Sequence, residues 1–517
     1  MSPSVFHPFV IICCCFAPAT NGANILVFMP MPDKSHFRGF QPLFVELSRR
    51  GHNVTVASSY PLESPVANYT DVGPFVLKEK VSNLMELAQS NFMSSVTLKW
   101  QLAVRMSEQV MPHRKMTEFV HSDSGLFDLV MVETFCQEYT VAMGHKYGAP
   151  VINLAPAMLW PSVSKWLHVP STFSYIPYYA LDTTDEMGFV DRLKNTVTGA
   201  IQLYAESYWY MPKMNVIMDR YLTYAGWESR PSLERMLGDV SLTLVNSHHA
   251  IGIARPYLPG VVDVGGMHIK RPKPLPENLQ TFIASAEQGV IYFSFGTVVD
   301  LNQLPTEKMN IFLKVIGRLK QKTILKWTPT NDSAGLINLP RNILIGSWFP
   351  QNDILAHPNV RLFITHGGLH SLEEAIYNAK PLVGISFFAD QHFNMNMVEK
   401  KGYGKKISYF EMTEQSLENA IGEVLSNPAF GEKAAIHSQV YRDQPTKPLD
   451  RAVYWVEYVI RNGGAGHLKS DSVGLNDQQY FLVDVSLILL VPIGLITWFC
   501  YAVVAKIAIK KSYNFTK

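Results

Sequence analysis

The chain has 517 residues, enough for more than one domain with its own core. Its net charge is +2 and charged residues make up 17%, which excludes a protein that relies on electrostatic attraction to nucleic acid or to a membrane surface. The hydrophobic share of 47% is high for a soluble protein, and part of the excess sits at the two ends.

At the N-terminus Phe9–Phe16 (FVIICCCF) is a short apolar run, followed by mostly small residues to Ala23. The pattern predicts a secretory signal peptide over residues 1–22, cleaved near Gly22 or Ala23. Asn24–Met29, Gln41–Arg50 and His52–Ala57 then read as strand, helix and strand, with Gly51 stopping the helix. Asp128–Val132, Tyr139–Tyr147 and Pro150–Leu154 repeat the alternation. It recurs in Val290–Ser294, Met309–Lys320 and Thr323–Trp327. Alternation of this kind predicts an α/β protein with parallel sheets covered on both faces. Lys270–Pro276 (KRPKPLP) is rich in Pro and charge and reads as an extended linker. The expected organisation is therefore an N-terminal domain over 23–268, a linker over 269–285 and a C-terminal domain over 286–470.

Val485–Ala505 carries no charged residue and is long enough to span a bilayer, with Pro492 as a point of kinking. Lys506, Lys510 and Lys511 follow at once, which predicts a cytosolic tail over 506–517. The two ends together predict a single-pass type I protein with its bulk in the lumen. Of five cysteines, Cys13, Cys14 and Cys15 lie in the leader and Cys500 in the span. Only Cys136 is left for the lumen, so no intrachain luminal disulfide is expected. Sequons stand at Asn53, Asn68 and Asn331; Asn53 falls in an apparent buried strand and is expected to stay unmodified.

The densest chemistry lies in Trp348–Gln391 (WFPQNDILAHPNVRLFITHGGLHSLEEAIYNAKPLVGISFFADQ). Val360–Thr365 and Pro381–Ile385 read as strands, and Ser371–Asn378 as a helix between them. His366-Gly367-Gly368 thus stands at the carboxyl end of a strand and opens onto a helix N-terminus, an edge where free N–H groups favour an anion. The glycines would let a phosphate approach the backbone, and His366 can add a hydrogen-bond donor or a charge. Glu374, one turn into the helix, suits two vicinal hydroxyls. Asp390-Gln391 offers acceptors and donors to several more. Trp348 has a π-face suited to a planar base. Ser294-Phe295-Gly296-Thr297 directly follows another strand. No G-x-G-x-x-G follows the first strand and no G-x-x-x-x-G-K-[ST] occurs, which disfavours dinucleotide and P-loop readings.

In order and spacing, W-x-P-Q, T-H-G-G, E-A, P and D-Q in this segment resemble the signature of the UDP-glycosyltransferases, in particular the membrane-bound animal and insect-like glucosyl and glucuronosyl members. The resemblance implies the GT-B fold, two doubly wound Rossmann-like domains facing a cleft, with a C-terminal transmembrane helix. It implies that Trp348 and Gln351 hold uracil and ribose, and that His366, Gly367, Gly368, His370 and Ser371 surround the diphosphate. Glu374 would bind the ribose hydroxyls, Asp390 and Gln391 the sugar, and Ser294, Gly296 and Thr297 a phosphate or sugar pocket. One residue departs from the pattern: many members have Asn where His370 stands.

Transfer to a hydroxyl needs a base, and His36 stands in the loop after the first strand (MPMPDKSHFRGFQPLF). Ser35-His36, followed by Pro42-Leu43, resembles the family's base-bearing segment. The family pairs that base with an Asp, and here FDLVMVE puts Glu133 at the position, with Glu138 as the fallback and Asp128 as a structural residue. The implied reaction is inverting transfer from an α-linked UDP-sugar, UDP-glucose first and UDP-glucuronic acid second, to a small lipophilic acceptor, as in detoxification. No D-x-D stands near the site, so neither a metal nor a cofactor beyond the co-substrate is expected. The Asn91–Met116 and Tyr175–Tyr210 stretches suggest an adaptable apolar acceptor pocket, core packing or membrane contact. Gln444–Ser470 would cross back onto the N-terminal domain. The expected location is the endoplasmic reticulum membrane, without a dilysine retrieval signal in the tail. Partners are the UDP-sugar, the acceptor and the membrane, with no nucleic acid; homo- or hetero-oligomers stay open. The rival reading is a catalytically silent relative that binds UDP-sugar or lipophile and serves as a partner subunit. An epimerase of the same architecture is disfavoured by the two ends.

Overall fold

The structure is a computed structural model that describes residues 22–77, 92–122, 125–297, 299–330 and 339–515. The leader and the Asn331 sequon lie outside the described residues. Two parallel sheets carry the chain. The first contains β1 (Asn24–Met29), β2 (Asn53–Ser58), β3 (Tyr69–Val72), β4 (Leu129–Val132), β5 (Val151–Ala155), β6 (Leu242–Val245) and β7 (Val261–Asp263), in the order β3-β2-β1-β4-β5-β6-β7. The second contains β8 (Val290–Ser294), β9 (Lys322–Lys326), β10 (Ile343–Gly346), β11 (Val360–Thr365), β12 (Leu382–Ser386) and β13 (Gly404–Ser408), in the order β10-β9-β8-β11-β12-β13. Each order reverses direction once, between β1 and β4 and between β8 and β11, where doubly wound sheets open a crevice for ligands.

The inner strands β1, β4, β5, β8 and β12 read as nearly continuous apolar runs because both faces are buried. Along β1, Ile25 and Val27 join one cluster with Leu129 and Met131, while Leu26 and Phe28 join another with Val130 and Val132. In the second sheet Ile291 and Phe293 face one core and Val290 and Tyr292 the other.

The helix after β1 spans Lys34–Arg49 and begins seven residues before the expected Gln41. The Asp33 carboxylate caps it, accepting from Ser35 N at 3.1 Å and His36 N at 3.2 Å. Phe37, Phe40, Leu43, Phe44 and Leu47 form its buried stripe.

Two other expectations, the extent of the linker and the burial of Asn53, need correction. Helix Glu277–Ala284 buries Leu279 and Ile283 beside β8, so only the front of 269–285 is linker. Helix Pro448–Arg461 buries Ala452, Val453, Val456 and Val459 under the first sheet, in keeping with the expected return of Gln444–Ser470 to the N-terminal half. Asn53 is exposed at the start of β2, its Nδ2 donating to Asn24 Oδ1 at 3.0 Å, because burial begins one residue later.

The last helix runs Val483–Phe515 with Pro492 inside it. Its apolar stretch of 27 residues, Val483–Ile509, stands unburied and is about 40 Å long, sufficient to cross a bilayer.

Candidate active site at the facing sheet edges

A cleft of about 710 Å³ lies between the carboxyl edges of the two sheets. From the first edge come Asp33, His36, Phe135 and Trp160; from the second come Gly296, Thr297, Gln351, His366, Gly368 and Asp390. Both reversals of strand order feed it. His36 follows β1 and Glu133 follows β4, while Gly296 follows β8 and His366 follows β11.

His36 is the most constrained side chain of the first edge. Its Nδ1 lies 2.5 Å from Glu133 Oε1, and its Nε2 is 3.5 Å from Asp33 Oδ2. Glu133 is buried and does not reach the cleft; Gln137 Nε2 donates to its second oxygen at 2.9 Å. Desolvation opposes charge on the ring, but Asp33, Glu133 and the facing Asp390 outweigh it and lift the His36 pKa to about 9. Glu138 is turned away: its carboxyl accepts from the Tyr210 hydroxyl at 2.8 Å. Asp128 accepts from Asn24 N at 2.8 Å and ties the sheet edge together.

On the second edge, Gly368 is the N-cap of helix Leu369–Tyr377, which starts two residues ahead of the expected Ser371. The His366 ring is wedged between two glycines. A Cβ at Gly296 would stand 2.8 Å from its Cε1, and one at Gly368 2.5 Å from its Nε2. Burial, helped by the charge of Lys326, lowers the His366 pKa to about 4, so the ring is neutral and acts as a hydrogen-bonding group. Gln351 Nε2 donates to Glu374 Oε2 at 2.9 Å and to Ser371 Oγ at 3.1 Å. Burial raises the Glu374 carboxyl to about 7. Trp348 lines the cleft and is 66% exposed. Asp390 accepts from Asn394 Nδ2 at 2.8 Å. Gln391 Oε1 accepts from Phe387 N at 2.9 Å and Phe388 N at 3.3 Å, which aims its amide N–H groups away from the backbone. His370 also lines the cleft and packs against Gly39 of the opposing helix.

Two expected donor residues sit beneath the surface instead. The Ser294 hydroxyl accepts from Gly296 N at 3.2 Å and shapes the turn that presents Gly296 and Thr297. Gly367 has φ +85°, its carbonyl accepts from Asn394 Nδ2 at 3.0 Å, and a Cβ there would strike Met395 at 2.7 Å. Neither faces the cleft.

Other residues were not anticipated. Lys326, at the end of β9, donates to the Gly296 carbonyl at 2.7 Å and lines the cleft with Lys34 and Arg38. Burial and the charges of Lys34 and Arg38 lower its pKa, which marks a convergence of cations where a diphosphate would sit. The i, i+4 pair of Lys34 and Arg38 flanking His36 was the available signal.

At the far end, Val96, Lys99, Phe135, Trp160 and Tyr179 line the cleft. Lys99 Nζ lies 5.5 Å, 5.8 Å and 5.6 Å from the ring centres of Phe135, Trp160 and Tyr179, and donates to the Tyr179 hydroxyl at 3.1 Å. Most of the Tyr175–Tyr210 aromatics do not take part. Tyr204, Tyr208 and Trp209 are exposed, in line with Phe189, Leu193, Val197 and Ile201 on an outward stripe.

The family model for UDP-glucoronosyl and UDP-glucosyl transferase matches residues 24–514. The chain belongs to the UDP-glycosyltransferase family. It is 36% identical over 481 residues to UDP-glycosyltransferase UGT4 of Dactylopius coccus, covering 91% of this chain and 92% of that one. It is 32% identical over 495 residues to UDP-glucuronosyltransferase 2C1 of Oryctolagus cuniculus, covering 90% and 94%. Among solved structures, a UDP-glucosyltransferase from Polygonum tinctorium capable of glucosylating indoxyl aligns with a TM-score of 0.57 at 18% identity, over 86% of this chain and 99% of that one. The calicheamicin glycosyltransferase CalG4 aligns with a TM-score of 0.56 at 17% identity, over 85% and 98%. The fold is GT-B, and this UDP-glycosyltransferase is an enzyme that transfers sugar from a UDP-sugar.

Proposed function

We propose that this UDP-glycosyltransferase glucosylates a hydroxyl of a small lipophilic acceptor with inversion, using His36 as general base and Glu133 as its positioning partner. The observation that carries the reading is the placement of the His36–Glu133 pair across one cleft from Asp390, Gln391 and His366. In this reading neutral His36 takes the acceptor proton as the acceptor oxygen attacks the anomeric carbon. Glu133 fixes the ring and stabilises the imidazolium that forms. The bond to the diphosphate breaks at the same time. Its negative charge is received by the neutral His366, the amides at the start of helix Leu369–Tyr377 and the cations Lys326 and Arg38.

Trp348 would stack on uracil, and Gln351 with Glu374 would hold the ribose. Asp390 and the Gln391 amide would read the sugar hydroxyls. Glucose is favoured over glucuronic acid because the Asp390 carboxyl lines the cleft beside Gln391 and would be an unfavourable neighbour for a second carboxylate. The reaction as read needs no metal or organic cofactor. The last helix anchors the enzyme in the endoplasmic reticulum membrane with both sheets in the lumen.

The test is transfer by membranes carrying the full chain, with UDP-glucose and UDP-glucuronic acid offered to a panel of phenols. Glucoside formation well above glucuronide formation is expected. The reverse ranking overturns the donor assignment. Bound UDP with no transfer from either donor overturns the reading as a whole and favours a silent binding subunit.

A further inference from the structure

The departure from the family pattern at His370 acquires a reason once its surroundings are in view. His370 and Glu373 stand one turn apart on the same face of helix Leu369–Tyr377, and His268, the last residue before the linker, faces both. One ligand atom from each of the three lies within 4.8 Å of the other two. The imidazoles of His268 and His370 meet edge to face with centres 4.6 Å apart.

His268 Nδ1 is 3.6 Å from Glu373 Oε2. That separation is too long for a hydrogen bond, but close to the edge of a tetrahedron about a zinc ion, ~3.4 Å for bonds of ~2.1 Å. Glu373 is fully buried; the Gly266 N–H and the Tyr441 hydroxyl stand near its carboxylate, while Oε1 makes no hydrogen bond of normal geometry among the described residues. His268 Nε2 is buried and makes no hydrogen bond of normal geometry, with Glu374 Oε1 3.7 Å away. Buried carboxylate oxygens and ring nitrogens are rarely left unmatched, yet Nδ1 and Oε2, the pair at metal-edge distance, are not joined by a hydrogen bond. The support around the cluster is that of a ligand set: Asn246 Nδ2 donates to Glu373 Oε2 at 3.4 Å and fixes the carboxylate from behind.

We propose that His268, His370 and Glu373 bind one divalent transition-metal ion of the zinc class. Two imidazoles and a carboxylate are a donor set for Zn²⁺, and they leave a fourth position open. That position faces the cleft, because His268 and His370 line it and Glu373 lies behind them. The ion joins the end of the N-terminal half, through His268, to the donor-side helix. It is a clasp between the halves and takes no part in the proton transfer at His36.

The test uses the full chain in detergent, stripped with a chelator and titrated with Co²⁺ alone, whose visible absorption strengthens in a tetrahedral site, followed by displacement with Zn²⁺. One equivalent per chain is expected, with zinc raising the melting temperature. His370→Asn restores the family residue at a cleft-lining position, and His268→Gln removes a second ligand; each should weaken Co²⁺ binding by at least about 100-fold while far-ultraviolet circular dichroism stays native. Wild-type protein that binds no Co²⁺ overturns the proposal. So does binding that both folded variants retain at wild-type affinity, since the metal would then sit elsewhere.

Discussion

His36 Nδ1 and Glu133 Oε1 stand 2.5 Å apart, one residue from the loop after β1 and the other from the loop after β4. The contact spans the point where the strand order of the first sheet reverses. It is made by a glutamate that is buried and does not itself line the cleft.

The charge around that contact has a consequence for pH. The carboxylates of Asp33, Glu133 and Asp390 raise His36 to about 9, so in the free enzyme the ring is mostly protonated at neutral pH. A base must be neutral to act, so kcat/KM for the acceptor should rise with pH toward a limb near 9. Glu133→Gln removes one negative charge and should move that limb down toward the ordinary histidine range, with a plateau lowered about 10²- to 10⁴-fold. An unchanged limb in this variant would show that Glu133 does not act on His36.

The glycines flanking His366 make a steric prediction. Gly368→Ala would put a methyl 2.5 Å from the ring, and Gly296→Ala would add a strained φ of +69° to a 2.8 Å clash. Each should weaken UDP binding at least about tenfold and cost about 1–3 kcal/mol of stability. Calorimetric UDP titration with a parallel thermal melt separates the two effects.

How much of this was legible in the sequence depended on the kind of signal. β8 and β11 match their expected limits residue for residue because a strand buried on both faces is a continuous apolar run. The start of helix Lys34–Arg49 was hidden because its first turn is polar and Pro42 lies inside it, whereas the capping Asp33 lies outside any periodic pattern. Ser294 and Gly367 stand in signature positions yet serve the turns beneath the site, since a motif reports position in the chain and not direction. The aromatics from Tyr204 to Trp209 were compatible with a pocket, core packing or membrane contact, and composition alone did not choose among them. The stripe they extend faces outward, which disfavours the pocket and the core for these residues. Lys326 ends a strand as many surface lysines do, and only the fold brings it beside His366.

Lys326 should matter to the donor and not to the acceptor. Lys326→Met removes a cation that meets the Gly296 turn at 2.7 Å. The KM for UDP-sugar should rise about 10- to 100-fold, the size of a charge-assisted hydrogen bond, with acceptor KM little changed. Equal rises in both would place Lys326 in general folding and not in donor binding.

Lys99 predicts an acceptor preference. Its ammonium sits among three aromatic rings at the far end of the cleft. Its carboxylate neighbours are Glu138, pushed by burial and by Glu206 to about 8, and Glu206, also raised by burial, so both compete weakly for the ammonium. Acceptors carrying a carboxylate on an aromatic ring should therefore be favoured over their uncharged counterparts. Lys99→Met should erase that preference by about tenfold or more, read as the ratio of kcat/KM for a matched pair of phenols.

The most direct measurement compares wild-type and His36→Ala enzyme for sugar transfer to phenolic acceptors, with UDP binding measured on the same preparations. Loss of the base should lower transfer by about 10²- to 10⁴-fold while UDP affinity stays at the wild-type value. Transfer by His36→Ala at the wild-type rate would contradict the assignment of His36 as the base.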